Sequence, residues 1–430
     1  MCVTSRLRAA APILAGSIFA SSVLAAGCGS APAPEPPVNS QVLRGVAAAQ
    51  LPANPRPYGA ADTAFGLNLL GAWCSQDPDA NIVLSPESLA SGLGMAYLGA
   101  QGTTAQAMAS VLHLPAGGPL VAGLHARSAA LRSLSRPGVT VASSDQLWAD
   151  PTLTKSTRPS YLNALASGYG AGMRPVPLVS DPASAAQQID AAVAAATRGH
   201  IPQLVTANGI RGAGWVLTDA LYLDADWAAP FQASQTQPQT FTTAAGQQVT
   251  AKFLNGGSFP VTSTGGWTAV SLPYRGGKLA MVALLPDSGS GGCPALPAGT
   301  LGTITATLVR GAVGRWAGVA MPKVSLKSSA DLADLLKALG MGVAFTSNAD
   351  FRGLSPAACC ISTVIHAATL DVGEKGTVGS AATAVGIEPG LARVAPSPVI
   401  TFDRPYLLLV TDISTGEPLF LARVANPAAG

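Results

Sequence analysis

The chain has 430 residues, a formal net charge of +3 and charged side chains at only 11% of its positions. Charged residues usually make up about a quarter of a globular domain, so this chain is unusually apolar or neutral. Arg127, Arg132 and Arg136 lie close together in sequence, and we interpret them as a solvated helix face rather than a polyanion site. The composition therefore argues against nucleic acid as a partner.

The first 27 residues are typical of a signal peptide. Arg6 and Arg8 precede an uncharged apolar stretch, residues 9–26, which ends in small residues before Cys28. Such a segment is removed on export rather than kept as a membrane helix. The sequence Leu-Ala-Ala-Gly-Cys at 24–28 resembles a bacterial lipobox, although Ala25 stands where leucine is usual. We predict a lipoprotein on the outer face of the cell membrane, anchored by lipid on Cys28; an ordinary secretory signal, giving an extracellular protein, is the alternative.

Residues 28–58 are predicted to be an extended tether, because prolines recur there among alanine, serine and glycine. A segment of this composition buries too little apolar surface to order itself. The remaining residues, 59–430, contain no second linker and no repeat. They are predicted to form a single domain, which is large but possible for this length.

Six cysteines are present, of which Cys2 is lost with the signal peptide and Cys28 is assigned to lipid. The domain keeps four others, and disulfides are permitted in an exported protein. Their pairing stays open, and the two adjacent ones are expected to pair elsewhere or to remain free rather than to pair with each other. The four are Cys74, Cys293, Cys359 and Cys360.

Catalytic motifs are absent from the sequence. It contains no Gly-x-Ser-x-Gly, Ser-x-x-Lys or His-Glu-x-x-His pattern and no phosphate-binding glycine-rich loop. No Cys-x-x-Cys pair or histidine cluster indicates a metal, and no cofactor is implied. We therefore predict that the protein is not an enzyme.

Hydrophobic periodicity predicts the elements of the domain in chain order. Ser85, Pro86 and Glu87 are typical of a helix N-terminus, with Ser85 as the cap. Helices mostly precede strands, which favours an α+β fold. The predicted helices are 62–73, 86–98, 102–112, 183–197 and 329–339, and the predicted strands are 81–84, 145–148, 215–227, 270–274, 279–285, 319–326, 364–372, 407–410 and 419–424.

One stretch near the C-terminus is built almost entirely from small side chains. Its members are Glu374, Lys375, Gly376, Thr377, Val378, Gly379, Ser380, Ala381, Ala382 and Thr383, and we name residues 374–383 the hinge segment. With a period of two, Thr377, Gly379, Ala381 and Thr383 share one face, which a sheet could bury at little steric cost. Residues 389–398 are rich in proline and glycine and are predicted to be exposed loop. The segment thus has two possible locations, in a sheet or in a surface loop of low complexity.

Nine short motifs then occur in an order that resembles one family. The domain, from about residue 60 to 427, resembles a serpin, a serine protease inhibitor. The motifs lie at 81–88, 98–104, 197–201, 217–231, 272–274, 321–323, 339–341, 349–353 and 365–377.

The resemblance implies a serpin fold with three β-sheets, about nine helices and an exposed reactive-centre loop near residues 377–403. It also implies suicide inhibition, in which a serine-type endopeptidase attacks the loop and forms an acyl-enzyme, and the cut loop inserts into the central sheet. The partner would be held covalently, and the serpin itself is expected to be a monomer. A non-inhibitory serpin-fold binding protein on the cell envelope is the alternative. The hinge discriminates between the two, and Val378 and Gly379 depart from the usual Glu and Ala without blocking burial.

The resemblance also assigns roles outside the hinge. His366, with Ser85 and Ser88, would form a hydrogen-bonded contact where the sheet must part, and we name these three the shutter residues. Trp227 would pack where the loop first enters the sheet. The alternative interpretation makes His366 and Trp227 ordinary core residues.

The position of the scissile bond follows from the family's usual count of fourteen residues after the hinge glycine. Counting from Gly376 gives Gly390-Leu391, with Leu391-Ala392 and Arg393-Val394 as alternatives. The three bonds imply an elastase- or subtilisin-like, a chymotrypsin-like and a trypsin-like protease, respectively, because each presents a different side chain to the protease pocket.

Overall fold

A computed structural model describes residues 42–288, 292–309, 315–377 and 398–429. The predicted signal peptide with Cys28, hinge residues 378–383 and the candidate scissile bonds at 390–394 lie outside the described residues. Within the described ranges, no helix combines the length and the apolar character needed to cross a membrane.

Nine α-helices occur in the described residues, in agreement with the predicted number. The N-terminus of the second helix is as predicted: Pro86 is its first residue, and the Ser85 hydroxyl caps it by accepting a hydrogen bond from the backbone N–H of Ser88. The helices are α1 (Arg56–Gln76), α2 (Pro86–Tyr97), α3 (Gly102–Val111), α4 (Leu120–Arg132), α5 (Pro151–Thr154), α6 (Pro159–Tyr169), α7 (Pro182–Ala196), α8 (Ala298–Val309) and α9 (Ala333–Leu336).

The strands form three sheets, as the resemblance implied. They are β1 (Ile82–Leu84), β2 (Val139–Ala149), β3 (Met173–Pro175), β4 (Trp215–Asp226), β5 (Gln237–Thr242), β6 (Gln248–Thr264), β7 (Trp267–Pro273), β8 (Leu279–Pro286), β9 (Trp316–Pro322), β10 (Val324–Asp331), β11 (Ile365–Val372), β12 (Gly376–Thr377), β13 (Val399–Thr401), β14 (Tyr406–Asp412) and β15 (Pro418–Val424).

Sheet A has the order β10-β11-β12-β4-β2-β3. Sheet B has the order β1-β15-β14-β8-β7-β6, and sheet C contains β5, β6, β9 and β13. The two sheets share the long strand β6, which pairs with β9 up to Pro260 and with β7 from Val261 onward. A register shift lies between Gly256 and Phe259, where Gly256 has a φ of 112°. This left-handed conformation is one that glycine adopts readily, so the bulge lets one strand serve two sheets.

Sheet A packs against two different elements of the fold, one at each end. At one end, apolar residues of β4 and β11, such as Leu223 and Leu370, pack with sheet B residues such as Met281. At the other end, Leu89 and Leu93 of α2 pack among residues of both sheets. Helix α2 therefore lies beneath one half of the central sheet.

Two predicted elements differ from the structure. The single strand predicted at 319–326 is two strands in different sheets, because Pro322, which has no backbone donor, ends β9 in sheet C and Val324 begins β10 in sheet A. The helix predicted at 329–339 is wrong at its start, since β10 continues to Asp331 along an eight-residue ladder with β11. Tertiary pairing there overrides the local helical pattern.

The last part of the predicted tether contacts the domain. Leu43 pairs with Met173 next to the edge of sheet A, and the backbone N–H of Ala48 donates to Oγ of Ser167 at 2.9 Å. Helix α1 begins at Arg56, before the predicted domain boundary at residue 59.

Arg127 is not on a solvated helix face, so that interpretation was wrong. Its side chain is 3% exposed and contacts three carboxylates from distant parts of the chain. The closest is Asp62, with Oδ2 at 2.7 Å from Nη2; Glu417 and Glu87 follow at 3.2 and 3.4 Å. Among the other two arginines, Arg132 is exposed and Arg136 is half-buried.

Candidate functional site in the central sheet

The hinge segment enters sheet A through Gly376 and Thr377, which form strand β12. Gly376 pairs with Asp226 of β4, and Thr377 pairs with Ala225 of β4 and with Val372 of β11. Both pairings are antiparallel, so β12 is a short central strand between β4 and β11. The chain reverses from β11 into β12 through a turn in which the backbone N–H of Gly373 donates to the carbonyl of Gly376 at 2.9 Å.

Gly376 is required by the closeness of β4. A Cβ atom at this position would lie 2.0 Å from the carbonyl oxygen of Ala225, far inside van der Waals contact. Only a residue without a side chain allows β12 to pair here. Glycine is therefore required at position 376 for steric reasons rather than for unusual dihedral angles.

Thr377 is completely buried and faces the core beneath the sheet. Its hydroxyl shares a hydrogen bond with the hydroxyl of Tyr274. The Tyr274 ring stacks on Trp227, with the ring centroids 4.5 Å apart and the planes 12° from parallel. Burial raises the pKa of Tyr274 above its usual range, against a smaller opposite effect of the Thr377 bond, so the phenol stays protonated.

Trp227 holds the turn that precedes β12. Its indole Nε1–H donates to the carbonyl of Gly373 at 2.9 Å, and its backbone N–H donates to the carbonyl of Lys375 at 2.8 Å. Trp227 therefore contacts the turn that leads into β12. Its indole is 1% exposed, so it is also a core residue.

Glu374 fixes the other side of the same turn. Its carboxylate lies 2.8 Å from Nζ of Lys323 and accepts a hydrogen bond from the Thr236 hydroxyl at 2.9 Å. Partial burial raises the pKa of Glu374, but the hydrogen bonds from Lys323 and Thr236 outweigh that effect and hold the pKa below its usual value. The carboxylate is therefore ionised at neutral pH and ties the hinge to the junction of β9 and β10.

Beyond Thr377, strands β4 and β11 form no ladder with each other in the described part of the chain. We name the space between these strands the slot. At the end far from β12 lies a cleft of about 40 Å³, lined by Leu93 of α2, Trp215 of β4, and Ile365 and His366 of β11. Among the described residues, Gly376 and Thr377 are the ones that occupy the position between these two strands.

The shutter residues lie at this far end. The backbone N–H of Ser85 donates to Nε2 of His366 at 3.2 Å, which ties β11 to the N-terminus of α2. Ser85 also caps α2 through Ser88, and all three residues are at most 3% exposed. Burial lowers the pKa of His366 to about 4, so the ring is neutral and accepts at Nε2 at neutral pH.

The structure thus places the predicted residues in two groups, at the two ends of the slot. Glu374, Lys375, Gly376 and Thr377 meet Trp227 at one end, and the shutter residues meet at the other.

Tyr274, Lys323 and Ser328 were not predicted as site residues. Tyr274 and Lys323 lie within motifs quoted for the resemblance, which was the only signal for them. Ser328 accepts a hydrogen bond from the backbone N–H of Val83 at 3.0 Å, beside the shutter residues, and no sequence pattern pointed to it.

In the residues that the structure describes, a central sheet that the chain enters through β12 between β4 and β11, together with two further sheets, defines the serpin fold. The family model described as serpin (serine protease inhibitor) matches residues 60–427, so the chain belongs to the serpin family.

Three known proteins illustrate the similarity. An uncharacterised serpin-like protein of Thermococcus kodakarensis is 32% identical, with 81% of this chain and 82% of that protein covered. The leukocyte elastase inhibitor of Bos taurus is 29% identical over 86% of this chain and 99% of its own. The structure of native protease nexin-1 with heparin superposes with a TM-score of 0.74 at 25% identity, covering 87% of this chain and all of that one.

Proposed function

We propose that this serpin inhibits serine-type proteases by a suicide mechanism. A protease serine attacks the carbonyl carbon of a reactive-centre bond, forms an acyl-enzyme and releases the amine of the following residue. The cut loop then inserts into sheet A and carries the bound protease with it. The observation that carries the proposal is β12, which already begins the inserted strand between β4 and β11.

The register of β12 supports insertion of a full strand. Thr377 lies opposite Ala225, and an antiparallel strand advances one residue as its partner recedes by one. Continued in this register, the strand would bring residue 387 opposite Trp215, where β4 begins. The slot would then be filled before the proposed cut at Gly390-Leu391, which leaves the acylated end beyond the sheet.

The direction of the Thr377 side chain supports the same proposal. Because Thr377 faces the core, alternation would place Gly379, Ala381 and Thr383 inward as well. Every one of these side chains is small, so none would meet steric resistance above α2. No charged side chain falls on this face between Thr377 and Thr383.

Thr377→Arg tests the mechanism. Thr377 is already buried beside Tyr274, so an arginine at this position would have to leave the sheet in the uncleaved protein, and insertion would force its guanidinium back into the core at a cost of several kcal/mol for an unpaired charge. We expect wild type to form an SDS-stable adduct with a protease of the elastase, chymotrypsin or trypsin class, and Thr377→Arg to be cleaved by the same enzyme without an adduct. Thr303→Arg is the matched control, because it adds the same charge at an exposed position of α8.

An undiminished adduct with Thr377→Arg would refute insertion. A wild-type protein that forms no adduct with any of the three classes, and gains no thermal stability when its loop is cut, would instead favour the non-inhibitory binding protein. The partner then would not be held through an acyl bond.

The protease class is a further part of the proposal. Gly390 as the acylated residue suits an elastase- or subtilisin-like pocket that holds a small side chain, and the relative named leukocyte elastase inhibitor accords with this choice. We further propose that the protein acts as a monomer outside the cytoplasm, on the membrane surface through lipid on Cys28.

A further inference from the structure

Two free cysteines directly precede the residues that line the far end of the slot. Cys359 and Cys360 lie in the loop that leads into β11, with Cys359 exposed and Cys360 half-buried. Their Sγ atoms are 2.9 Å apart, closer than the van der Waals contact of two sulfur atoms. A disulfide bond is about 2.05 Å long, so the two sulfurs would need to approach by only about 0.9 Å.

The backbone is fixed on both sides of this pair. The N–H of Ala358 donates to the carbonyl of Ser355 at 3.0 Å, and the N–H of Ile361 donates to the carbonyl of Ala344 at 2.9 Å. Ala358 and Ile361 are both buried. The two cysteines therefore lie on a short segment between two anchored residues, which holds their sulfurs next to each other.

Each of these thiols has the other as its only cysteine partner in the described residues. The remaining cysteines of those ranges, Cys74 and Cys293, are bonded to each other. Such disulfides persist in oxidising compartments, where a neighbouring pair of thiols is also open to oxidation. Within the same ranges no group of three or more histidine, cysteine or acidic side chains is placed to hold a metal ion, so the pair fits a dithiol–disulfide couple better than a metal site.

We propose that Cys359 and Cys360 form a reversible vicinal disulfide by exchange with a small-molecule disulfide of the glutathione class. The Cys359 thiolate attacks one sulfur of the oxidant and breaks its S–S bond, which releases one thiol and leaves a mixed disulfide on Cys359. Cys360 then attacks Sγ of Cys359, closes the ring and expels the second thiol. The two protein thiols are oxidised, the oxidant is reduced to two thiols, and these take up both protons.

The order of the two attacks follows from the surroundings of the thiols. The thiolate, rather than the thiol, is the nucleophile in this exchange. Burial and, to a smaller extent, the adjacent Cys359 raise the pKa of the Cys360 thiol to about 11, so Cys360 is a poor first nucleophile. Cys359 is the exposed one and meets the oxidant first. Cys360 then attacks a sulfur that is already beside it, and this proximity offsets its low thiolate fraction.

The vicinal bond should be easier to reduce than the other disulfide. Adjacent Cα atoms are about 3.8 Å apart, whereas those of most disulfides are about 4.4–6.8 Å apart, so a vicinal bond is strained. The same strain makes such bonds uncommon, which is why none was predicted from the sequence. Cys74 and Cys293 have a Cα separation of 5.8 Å, and Cys74 is buried. Strained or exposed disulfides are the labile ones, so the pair should open and close while the Cys74–Cys293 bond stays intact.

Closure of the ring would act on the far end of the slot. Ile361 follows the pair directly and lines the same cleft as His366. A bond between adjacent side chains restricts the backbone dihedral angles of both residues, so the segment that enters β11 should become more rigid. The oxidation state of the pair would thus set the rigidity of one wall of the slot, whether or not the protein inhibits a protease.

Alkylation followed by peptide mass spectrometry of the full-length protein tests the proposal. After incubation with glutathione disulfide, wild type should carry a bond between Cys359 and Cys360, with neither glutathione nor N-ethylmaleimide attached to them. Reduced glutathione should then restore alkylation of both residues, while Cys74 and Cys293 stay unlabelled.

Two single variants test the order of attack, because each keeps one thiol and has no second thiol to close the ring. Cys360→Ser should retain one bound glutathione on Cys359. Cys359→Ser should acquire glutathione about tenfold more slowly, because a rise of the Cys360 pKa from 9.0 to about 11 lowers the thiolate fraction about a hundredfold and raises the nucleophilicity of the thiolate about tenfold.

Hydrogen exchange of the Ile361 amide measures the effect on the slot. This amide donates to Ala344, so its exchange reports opening of the segment. Exchange should be at least about threefold slower in oxidised than in reduced wild type. The double variant of Cys359→Ser with Cys360→Ser is the matched control, and it should show the same exchange after both treatments. Equal exchange in the two forms of wild type would overturn the effect on the slot.

Three results would overturn the vicinal disulfide itself. They are free thiols at both positions after oxidation of folded wild type, glutathione retained on wild type, and a bond that resists reduction as firmly as Cys74–Cys293. Dimers cross-linked through Cys359 or Cys360 on a non-reducing gel would overturn it in the same way. All of these are measured on wild type, so they remain decisive even if a variant fails to fold.

Discussion

His366 should make this serpin less stable as the pH falls below neutrality. The ring is 3% exposed, and its Nε2 accepts a hydrogen bond from the backbone N–H of Ser85. Burial lowers the pKa of His366 from 6.5 to about 4, because the interior disfavours the imidazolium. Protonation would also turn the accepting Nε2 into a donor facing another donor.

The size of the effect follows from the two pKa values. His366 binds a proton less readily in the folded state than in the unfolded chain. The contribution of the neutral ring to the free energy of unfolding is therefore complete above pH 6.5 and is lost as the pH falls toward 4. At about 1.4 kcal/mol per pH unit, the full loss is about 3 kcal/mol, of which about 2 kcal/mol has occurred by pH 5.

Urea unfolding at pH 7.5 and pH 5.0 measures this loss. Wild type should lose about 2 kcal/mol more than His366→Gln between the two conditions. His200→Gln, which changes an exposed histidine, should behave as wild type. The comparison with His366→Gln cancels the contribution of every other titrating group that the two proteins share.

An equal loss in wild type and His366→Gln would refute the reasoning from burial. If His366→Gln does not fold, a pH titration of the wild-type histidine rings by proton NMR takes the place of the unfolding comparison. A resonance of His366 that titrates near pH 6.5 would then show that the imidazole protonates freely despite its burial and its hydrogen bond from Ser85.

Four further predictions concern the anchor, the scissile bond and two buried charges. Cys28→Ala should leave the membrane fraction and still inhibit; a membrane-bound variant would contradict lipid anchoring. Mass spectrometry of the fragment released by a target protease should find Leu391 at its N-terminus, whereas Val394 there would indicate a trypsin-like target. Burial raises the pKa of Asp62, partly offset by Arg127, so its contribution to stability declines as the pH rises above about 4, and Asp62→Asn should remove that decline in urea unfolding. Arg127→Met should cost about 3–5 kcal/mol by the same assay, because it leaves buried carboxylates unpaired; an unchanged unfolding midpoint would contradict this role.

Local patterns predicted the elements whose own residues decide their structure. Ser85, Pro86 and Glu87 start α2 as expected, because capping and the first-turn charge act within one turn. The prediction of one strand at 319–326 was wrong although the sequence contains Pro322. The segments on both sides of this proline are apolar, and they are distinguished only by the different sheets that they join.

Contacts between distant residues were beyond local reasoning. Arg127 lies on α4, and its partners are on α1, on α2 and in the turn before β15, so no spacing in the sequence connects them. The same holds for Tyr274, whose bond to Thr377 spans 103 residues. The pairing of Cys74 with Cys293 also stayed open at that stage, because connectivity among four cysteines cannot be deduced from sequence alone.

The hinge and the shutter are linked through the register of sheet A. Thr377 lies opposite Val372, so an inserted strand would place Thr383 opposite His366, and both would face the core. The strand would therefore pass the contact between His366 and Ser85 just before it fills the end of the slot. Protonation of His366 and the proposed insertion of the loop would act on the same contact, so acid should both destabilise the uncleaved serpin and ease separation of β11 from α2. If that coupling holds, the pH dependence of unfolding and the pH dependence of insertion should follow the same titration.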